Sequence, residues 1–205
     1  MCEIGRRAYA RSLVDGTGGN FSCRLDDARL LCTPTRFCKG LLTPEDLCVV
    51  DLTGRHLAGS RSPSSEILMH LEIYAANPAV RAVVHVHPPF ATTFAIRGQP
   101  IPTGVLPEAD VFLGPVPVIP YQTPGTREMG TALRPYATNH VAALLQNHGA
   151  VTWGPDLETA YVLAETLEAV CRVVFQARQM GGLRPIPSER QPELARMRGK
   201  LRGPA

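Results

Sequence analysis

Two histidines close an apolar run, Ala82-Val83-Val84-His85-Val86-His87, immediately before Pro88 and Pro89. In a strand, alternate residues share a face, so both imidazoles can reach one point. Imidazole nitrogen binds zinc at roughly 2.0–2.1 Å. By itself the pair is a weak signal, and hydrogen-bonded interior histidines are its simpler reading. A third histidine changes the balance: His148, in Leu144-Leu145-Gln146-Asn147-His148-Gly149, also follows apolar strand-like residues. Three histidines and one open position make a catalytic zinc site, whereas a structural site is closed by four protein ligands. His56, His70 and His140 sit after a turn, within a helical stretch and in a loop, and carry no such pattern.

Two further stretches have residue types suited to an anion. Pro63-Ser64-Ser65-Glu66 opens a helical pattern, and a helix N-terminus offers unpaired N–H groups to a phosphate. The same residues also read as plain capping with an acid placed favourably in the helix dipole. Gly16-Thr17-Gly18-Gly19-Asn20 lets backbone approach an anion closely, yet it lacks the lysine and spacing of a P-loop and fails G-x-G-x-x-G. A glycine-rich turn at a helix end is the simpler reading of that stretch taken alone. A Schiff-base mechanism is disfavoured because the only lysines are Lys39 and Lys200.

The elements that must position these residues follow from periodicity and turn signals. Helices are expected over residues 2–13, 66–76, 88–96, 125–136 and 156–180, with Ser65 as the N-cap of the second. The last carries apolar residues at 157, 161, 164, 167, 170, 174 and 177. Strands are expected over 21–24, 30–32, 47–51, 80–87, 141–145 and 151–153, with short extended pieces around 116–119 and one capped helical turn at Thr43-Pro44-Glu45-Asp46. Single strands and hairpins interspersed with helices predict an α/β fold with a mixed or largely antiparallel central sheet.

Composition bounds the rest. The chain of 205 residues is 44% hydrophobic and 19% charged, which fits one domain with a substantial core. It contains no apolar run long enough to span a bilayer, and residues 1–16 lack the apolar core of a secretory signal. The six cysteines show no C-x-x-C spacing, so reduced cytosolic thiols are expected. Residues 181–205 hold six basic residues against Glu189 and Glu193 without interleaved aromatics. They read as a solvated or subunit-docking tail to a single domain over 1–180, not as a nucleic-acid module.

Taken in order, GTGGNFSCR, LLCTPTR, SPSSEILMHLEIY, AVVHVHPP and LLQNHGAVTWG resemble the class II aldolase and adducin family, most of all its fuculose-phosphate-type aldolases. The resemblance runs from about residue 4 to 180. It implies a three-layer α/β/α fold with a central, mainly antiparallel sheet, and a cytoplasmic homotetramer with active sites between subunits. It also implies one Zn²⁺ per chain, another divalent metal being admissible, held by His85, His87, His148 and Glu66. Glu66 would double as the general base. Phosphate would be held at Gly18 through its backbone and at Asn20, Thr35, Ser64 and Ser65. The implied reaction is retro-aldol cleavage of a ketose 1-phosphate to dihydroxyacetone phosphate and an aldehyde.

Several residues depart from the family pattern. Arg36 replaces a glycine and would either clamp phosphate or obstruct the pocket. Leu106 falls where the family has a catalytic tyrosine, leaving Glu108 or Asp110 as candidate proton donors; Glu108 is the one assigned. Pro124 replaces an aromatic, and no tyrosine follows Tyr161. These changes keep open a methylthioribulose-1-phosphate-type dehydratase and a 3-oxo-tetronate-4-phosphate decarboxylase. A zinc hydrolase and a non-catalytic adducin-like interaction domain are the remaining alternatives. Glu at position 66, in place of the aspartate usual in the family's epimerases, leans toward lyase chemistry.

Overall fold

The computed structural model describes residues 1–202. Eight strands form one sheet in the order β4-β3-β2-β1-β5-β8-β7-β6. They are β1 (Asn20–Arg24), β2 (Arg29–Cys32), β3 (Cys48–Asp51), β4 (His56–Ala58), β5 (Ala82–Val86), β6 (Val118–Ile119), β7 (Ala142–Leu145) and β8 (Gly149–Gly154). Every pairing is antiparallel except that of β6 with β7. The helices are α1 (Cys2–Ala10), α2 (Ile67–Ala76), α3 (Pro89–Ile96), α4 (Arg127–Leu133), α5 (Leu157–Gln179) and α6 (Gln191–Arg202).

The period-2 alternation of β5 sorts the protein into three layers. Ala82, Val84 and Val86 join Ile4 and Ala8 of α1, Phe94 of α3 and Leu167, Val170 and Val174 of α5 in one core. Val83 faces the opposite core with Ile73 and Tyr74 of α2, Met129 and Leu133 of α4, and Trp153 of β8. Burying each large apolar side chain contributes roughly 1.5–3 kcal/mol, so both faces must be covered. The parity that turns Val83 toward α2 also turns His85 that way. β5 is buried along its whole length between β1 and β8.

The expected elements are present with shifted ends. The first helix stops at Ala10 rather than 13, where Ser12 takes a left-handed φ of 56°. The expected helix 125–136 is α4 followed by one 3₁₀ turn, Arg134–Tyr136. Ser65 is not the N-cap of α2. Glu66 takes that place, and its N–H donates to Ser64 Oγ at 3.2 Å, so the local hydroxyl one residue earlier captures the turn. α5 is capped as its sequence suggests, Asp156 accepting from Thr159 N at 2.7 Å.

The basic C-terminal stretch folds back as α6 onto a π-helical turn, Ala109–Leu113. Arg198 Nη1 donates to the Asp110 carbonyl at 3.2 Å, and Ile186 N donates to the Gly104 carbonyl at 2.7 Å. The stretch read from composition as a solvated or subunit-docking tail is thus helical over α6, where most residues remain exposed; residues 203–205 lie outside the described residues.

Candidate active site

The ends of β5 and β8 and the start of α2 meet at one point. His85 closes the register of β5 against Asn20 of β1, and His87 follows one residue beyond the strand. His148 is delivered by the tight β7–β8 turn, in which Asn147 takes a φ of 56° and His148 N donates to the Leu145 carbonyl. Asn accepts the left-handed region more readily than most residues. Gly149 is required there, because a Cβ would fall 2.5 Å from Val86 O and 2.7 Å from His87 Cδ2. Gly18 is required opposite, since its Cβ would lie 2.9 Å from His87 Nδ1.

The three imidazoles place one ligand nitrogen each within 4.8 Å of the others. His85 Nδ1 donates to the Ala150 carbonyl at 2.9 Å, which leaves a lone pair on Nε2. That nitrogen lies 2.9 Å from His87 Nε2 and 3.5 Å from Glu66 Oε2. Glu66 Oε1 lies 3.3 Å from His148 Nε2 without the alignment of a hydrogen bond, and it has no other partner. Four donors around one tetrahedral zinc would stand about 3.3 Å apart, given zinc–nitrogen bonds of roughly 2.0–2.1 Å. Lone pairs converging at these separations, with an orphaned carboxylate oxygen among them, fit a divalent cation.

The electrostatics keep the nitrogens available. Burial pushes His85 well below 6.5, and the neighbouring His87, His148 and His70 add to the effect. Burial, then the His148 charge, bring His87 down to about 4. His148 is lowered by burial and partly supported by Glu66. All three are therefore neutral at pH 7, with lone pairs free to bind a cation. Asn20 Nδ2 donates to Glu66 Oε2 at 2.7 Å, fixing the carboxylate from β1. Beneath it, Ser22 Oγ bridges His70 Nδ1 at 2.7 Å and Tyr74 OH at 2.8 Å, tying β1 to α2 inside the core.

The residues expected to bind phosphate are only partly committed elsewhere. Asn20 turns its amide nitrogen to Glu66, leaving Oδ1 buried and unpaired. Gly18 spends its N–H on the Asp15 carbonyl at 2.7 Å, so its part is close approach to His87 rather than donation. Thr33 O accepts from Ser64 N, and Ser62 O accepts from Thr35 N, which brings the Thr33–Arg36 segment beside Ser64 and Ser65. Arg36 is exposed with a φ of 52°, a left-handed conformation that a glycine would take freely.

Among the described residues, the expected proton donors form no hydrogen bond or ion pair with this cluster. Glu108 is exposed at the start of the π-helical turn, and among the described residues no hydrogen bond or ion pair links it to the histidines. Asp110 is buried and accepts from Gly104 N with both oxygens, at 2.9 and 3.0 Å, which gives it a structural task. Sequence reasoning passed over Lys39. It is 1% exposed, and its ammonium donates to the carbonyls of Thr17 at 2.8 Å and Phe37 at 2.7 Å. The available signal was its rarity, one of two lysines set among arginines.

The family described as Class II Aldolase and Adducin N-terminal domain matches residues 1–175. The chain belongs to the class II aldolase family. This class II aldolase-family protein is 36% identical over 179 residues to the 3-oxo-tetronate 4-phosphate decarboxylase of Pectobacterium atrosepticum, spanning 85% of this chain and 82% of the relative. It is 38% identical over 171 residues to the L-fuculose phosphate aldolase of Methanococcus vannielii, spanning 83% and 91%. Its structure superposes on YgbL from Escherichia coli with a TM-score of 0.89 at 33% identity, covering 95% of both chains. On the L-fuculose-1-phosphate aldolase of Thermus thermophilus the TM-score is 0.76 at 31% identity, covering 88% of this chain and 94% of that one. The expected family and the α/β architecture therefore hold. Among the described residues no helix is long and apolar enough to cross a membrane.

Proposed function

We propose that the protein is a zinc-dependent aldolase that cleaves a ketose 1-phosphate by retro-aldol chemistry, releasing dihydroxyacetone phosphate and an aldehyde. The supporting observation is Glu66, a carboxylate held by Asn20 within 3.3–3.5 Å of two of three convergent, neutral histidines. His85, His87, His148 and Glu66 would hold one divalent ion per chain. When bound, that ion supplies Lewis-acid polarisation of the substrate carbonyl.

The chain's own residues do the rest. Glu66 takes the proton from the hydroxyl on the far side of the scissile bond, with Asn20 fixing the oxygen that receives it. Asn20, Thr35, Arg36, Ser64 and Ser65 surround the phosphate, with Gly18 allowing the loop to close on His87. Glu108 is assigned as proton donor to a neighbouring subunit's site in a cytoplasmic homotetramer, because it is exposed and, among the described residues, not bonded to its own histidines.

A second reading, decarboxylation of a 3-oxo-tetronate 4-phosphate, is favoured by the 36% identical relative of that name. Both reactions break a carbon–carbon bond next to a carbonyl and leave the electron pair as an enolate. They differ in needing a base: retro-aldol cleavage must deprotonate a hydroxyl, and decarboxylation need not. The deciding experiment offers the zinc-loaded protein L-fuculose 1-phosphate and 3-oxo-tetronate 4-phosphate in parallel. Decarboxylation of 3-oxo-tetronate 4-phosphate also yields dihydroxyacetone phosphate, so the aldolase is supported by dihydroxyacetone phosphate formed from L-fuculose 1-phosphate, followed with a coupled reductase. Carbon dioxide release from the second substrate alone replaces it with the decarboxylase.

A further inference from the structure

We infer that Lys39 is the buried counter-charge for the substrate's anionic group, acting through the two loops that it joins. This inference rests on the reading of the site as one that takes a phosphorylated substrate. Lys39 O packs against α1 at Gly5, where a Cβ would fall within 2.1 Å of that oxygen. The backbone is thereby locked, and the side chain runs inward. Its ammonium donates to Thr17 O of the Gly16–Asn20 loop and to Phe37 O of the segment that follows Thr35 and Arg36. It therefore joins the two backbone stretches that flank the anion-binding residues.

Both acceptors are neutral carbonyls. No carboxylate forms an ion pair with Lys39 among the described residues, so a full positive charge is buried without a direct partner. Burying a charge unpaired is costly. Cys38, as a thiolate, and Glu66 are the groups whose negative charge favours the ammonium, His87 shares its field, and Asp15 is exposed. A cation ligated by Glu66 and three neutral histidines would consume the Glu66 charge and leave the Lys39 charge uncompensated. A dianion seated between the two loops removes that surplus. Burial also lowers the ammonium to about 8, so it is charged at pH 7 yet sensitive to added negative charge.

The test compares two anions of one shape and different charge, sulfate and methanesulfonate, on the zinc-loaded protein by calorimetric titration. At an effective dielectric near 20, one charge pair across a loop is worth on the order of tenfold in affinity. Lys39→Met is expected to weaken methanesulfonate about tenfold and sulfate about a hundredfold. Equal losses for both anions, or no loss, would reduce the lysine to a structural clamp and overturn the inference. The wild-type protein gives an independent measurement if the variant fails to fold. With only two lysines in the chain, ¹³Cε labelling resolves Lys39 from the exposed Lys200. By linkage, saturating sulfate should raise the Lys39 pKa by about two units and methanesulfonate by about one. An unmoved Lys39 titration beside bound sulfate overturns the inference. A wild-type protein that binds neither sulfate nor inorganic phosphate overturns the phosphorylated-substrate reading itself, and this inference with it.

Discussion

His70 should make this protein acid-sensitive in a calculable way. It is 1% exposed, bonded to Ser22, and burial lowers its pKa to about 3 from 6.5. Below pH 6.5 the unfolded chain takes a proton at this residue, whereas the folded chain does so only near 3. The stability that His70 contributes is therefore present above pH 6.5 and lost progressively as pH falls toward 3. At pH 5 the unfolded form is favoured by about 1.5 pH units, or about 2 kcal/mol at roughly 1.36 kcal/mol per unit. His70→Asn keeps an acceptor near Nδ1 and removes the titration. Its absolute stability is lower, but its change between pH 7 and pH 5 should be about 2 kcal/mol smaller than that of the wild type. Urea unfolding reads this directly through Trp153, the single tryptophan, which is 1% exposed and donates its indole N–H to Ala137 O. The other histidines are present in both proteins; His85 loses the small His70 contribution in the variant, but burial, its largest cause, keeps it well below 6.5 in both, so their shares largely cancel. If both lose the same free energy between the two pH values, His70 is not held neutral by burial and the reasoning fails.

Other outcomes follow from the same geometry. Glu66→Gln should lower retro-aldol turnover by about 10²–10⁴-fold; unchanged rates in a stopped assay would remove Glu66 as the base. Gly149→Ala pushes a methyl toward Val86 O and the His87 ring, and should destabilise the fold by roughly 1–3 kcal/mol and weaken zinc about tenfold or more. Thermal melting and competition with a chromophoric chelator check both effects, and a wild-type zinc affinity would contradict the packing account. Arg36→Gly should leave stability equal or up to about 1 kcal/mol higher, because it relieves a left-handed φ, while KM for a phosphorylated substrate rises about tenfold. A KM that stays put would free Arg36 from any anion role. Exhaustive chelation should abolish activity and added zinc should restore it; activity that survives chelation would end the metal-dependent reading.

Much of this protein was legible residue by residue. The strand parity of His85 and His87 follows from period 2 alone, and the convergence of both imidazoles on the α2 side of the sheet is the same parity seen in Val83. The recurrence of His148 before a glycine, the helix-opening Glu66, and the order of five short segments carried the family. What failed was local and had local causes. Ser64 rather than Ser65 captured the turn into α2, because one hydroxyl can outbid its neighbour at no visible cost in composition. Gly18 lost its expected donor role to a turn bond in which its N–H donates to the Asp15 carbonyl, which sequence cannot distinguish from a free N–H. The basic C-terminal stretch is mostly exposed as its charge suggested, but that charge density hid a helix whose partner, residues 109–113, lies far away in sequence.

Residue types and spacings thus determined which groups are capable of chemistry: three imidazoles, one carboxylate and a glycine-rich loop, on elements whose periods are printed in the chain. Tertiary structure alone decided which of them meet. Asn20 became the partner of Glu66, His70 a buried neutral group, and Lys39 a buried ammonium held by two carbonyls between two loops. The reason is physical: periodicity is a property of neighbours along the chain, whereas desolvation and charge compensation depend on which distant segments exclude water together.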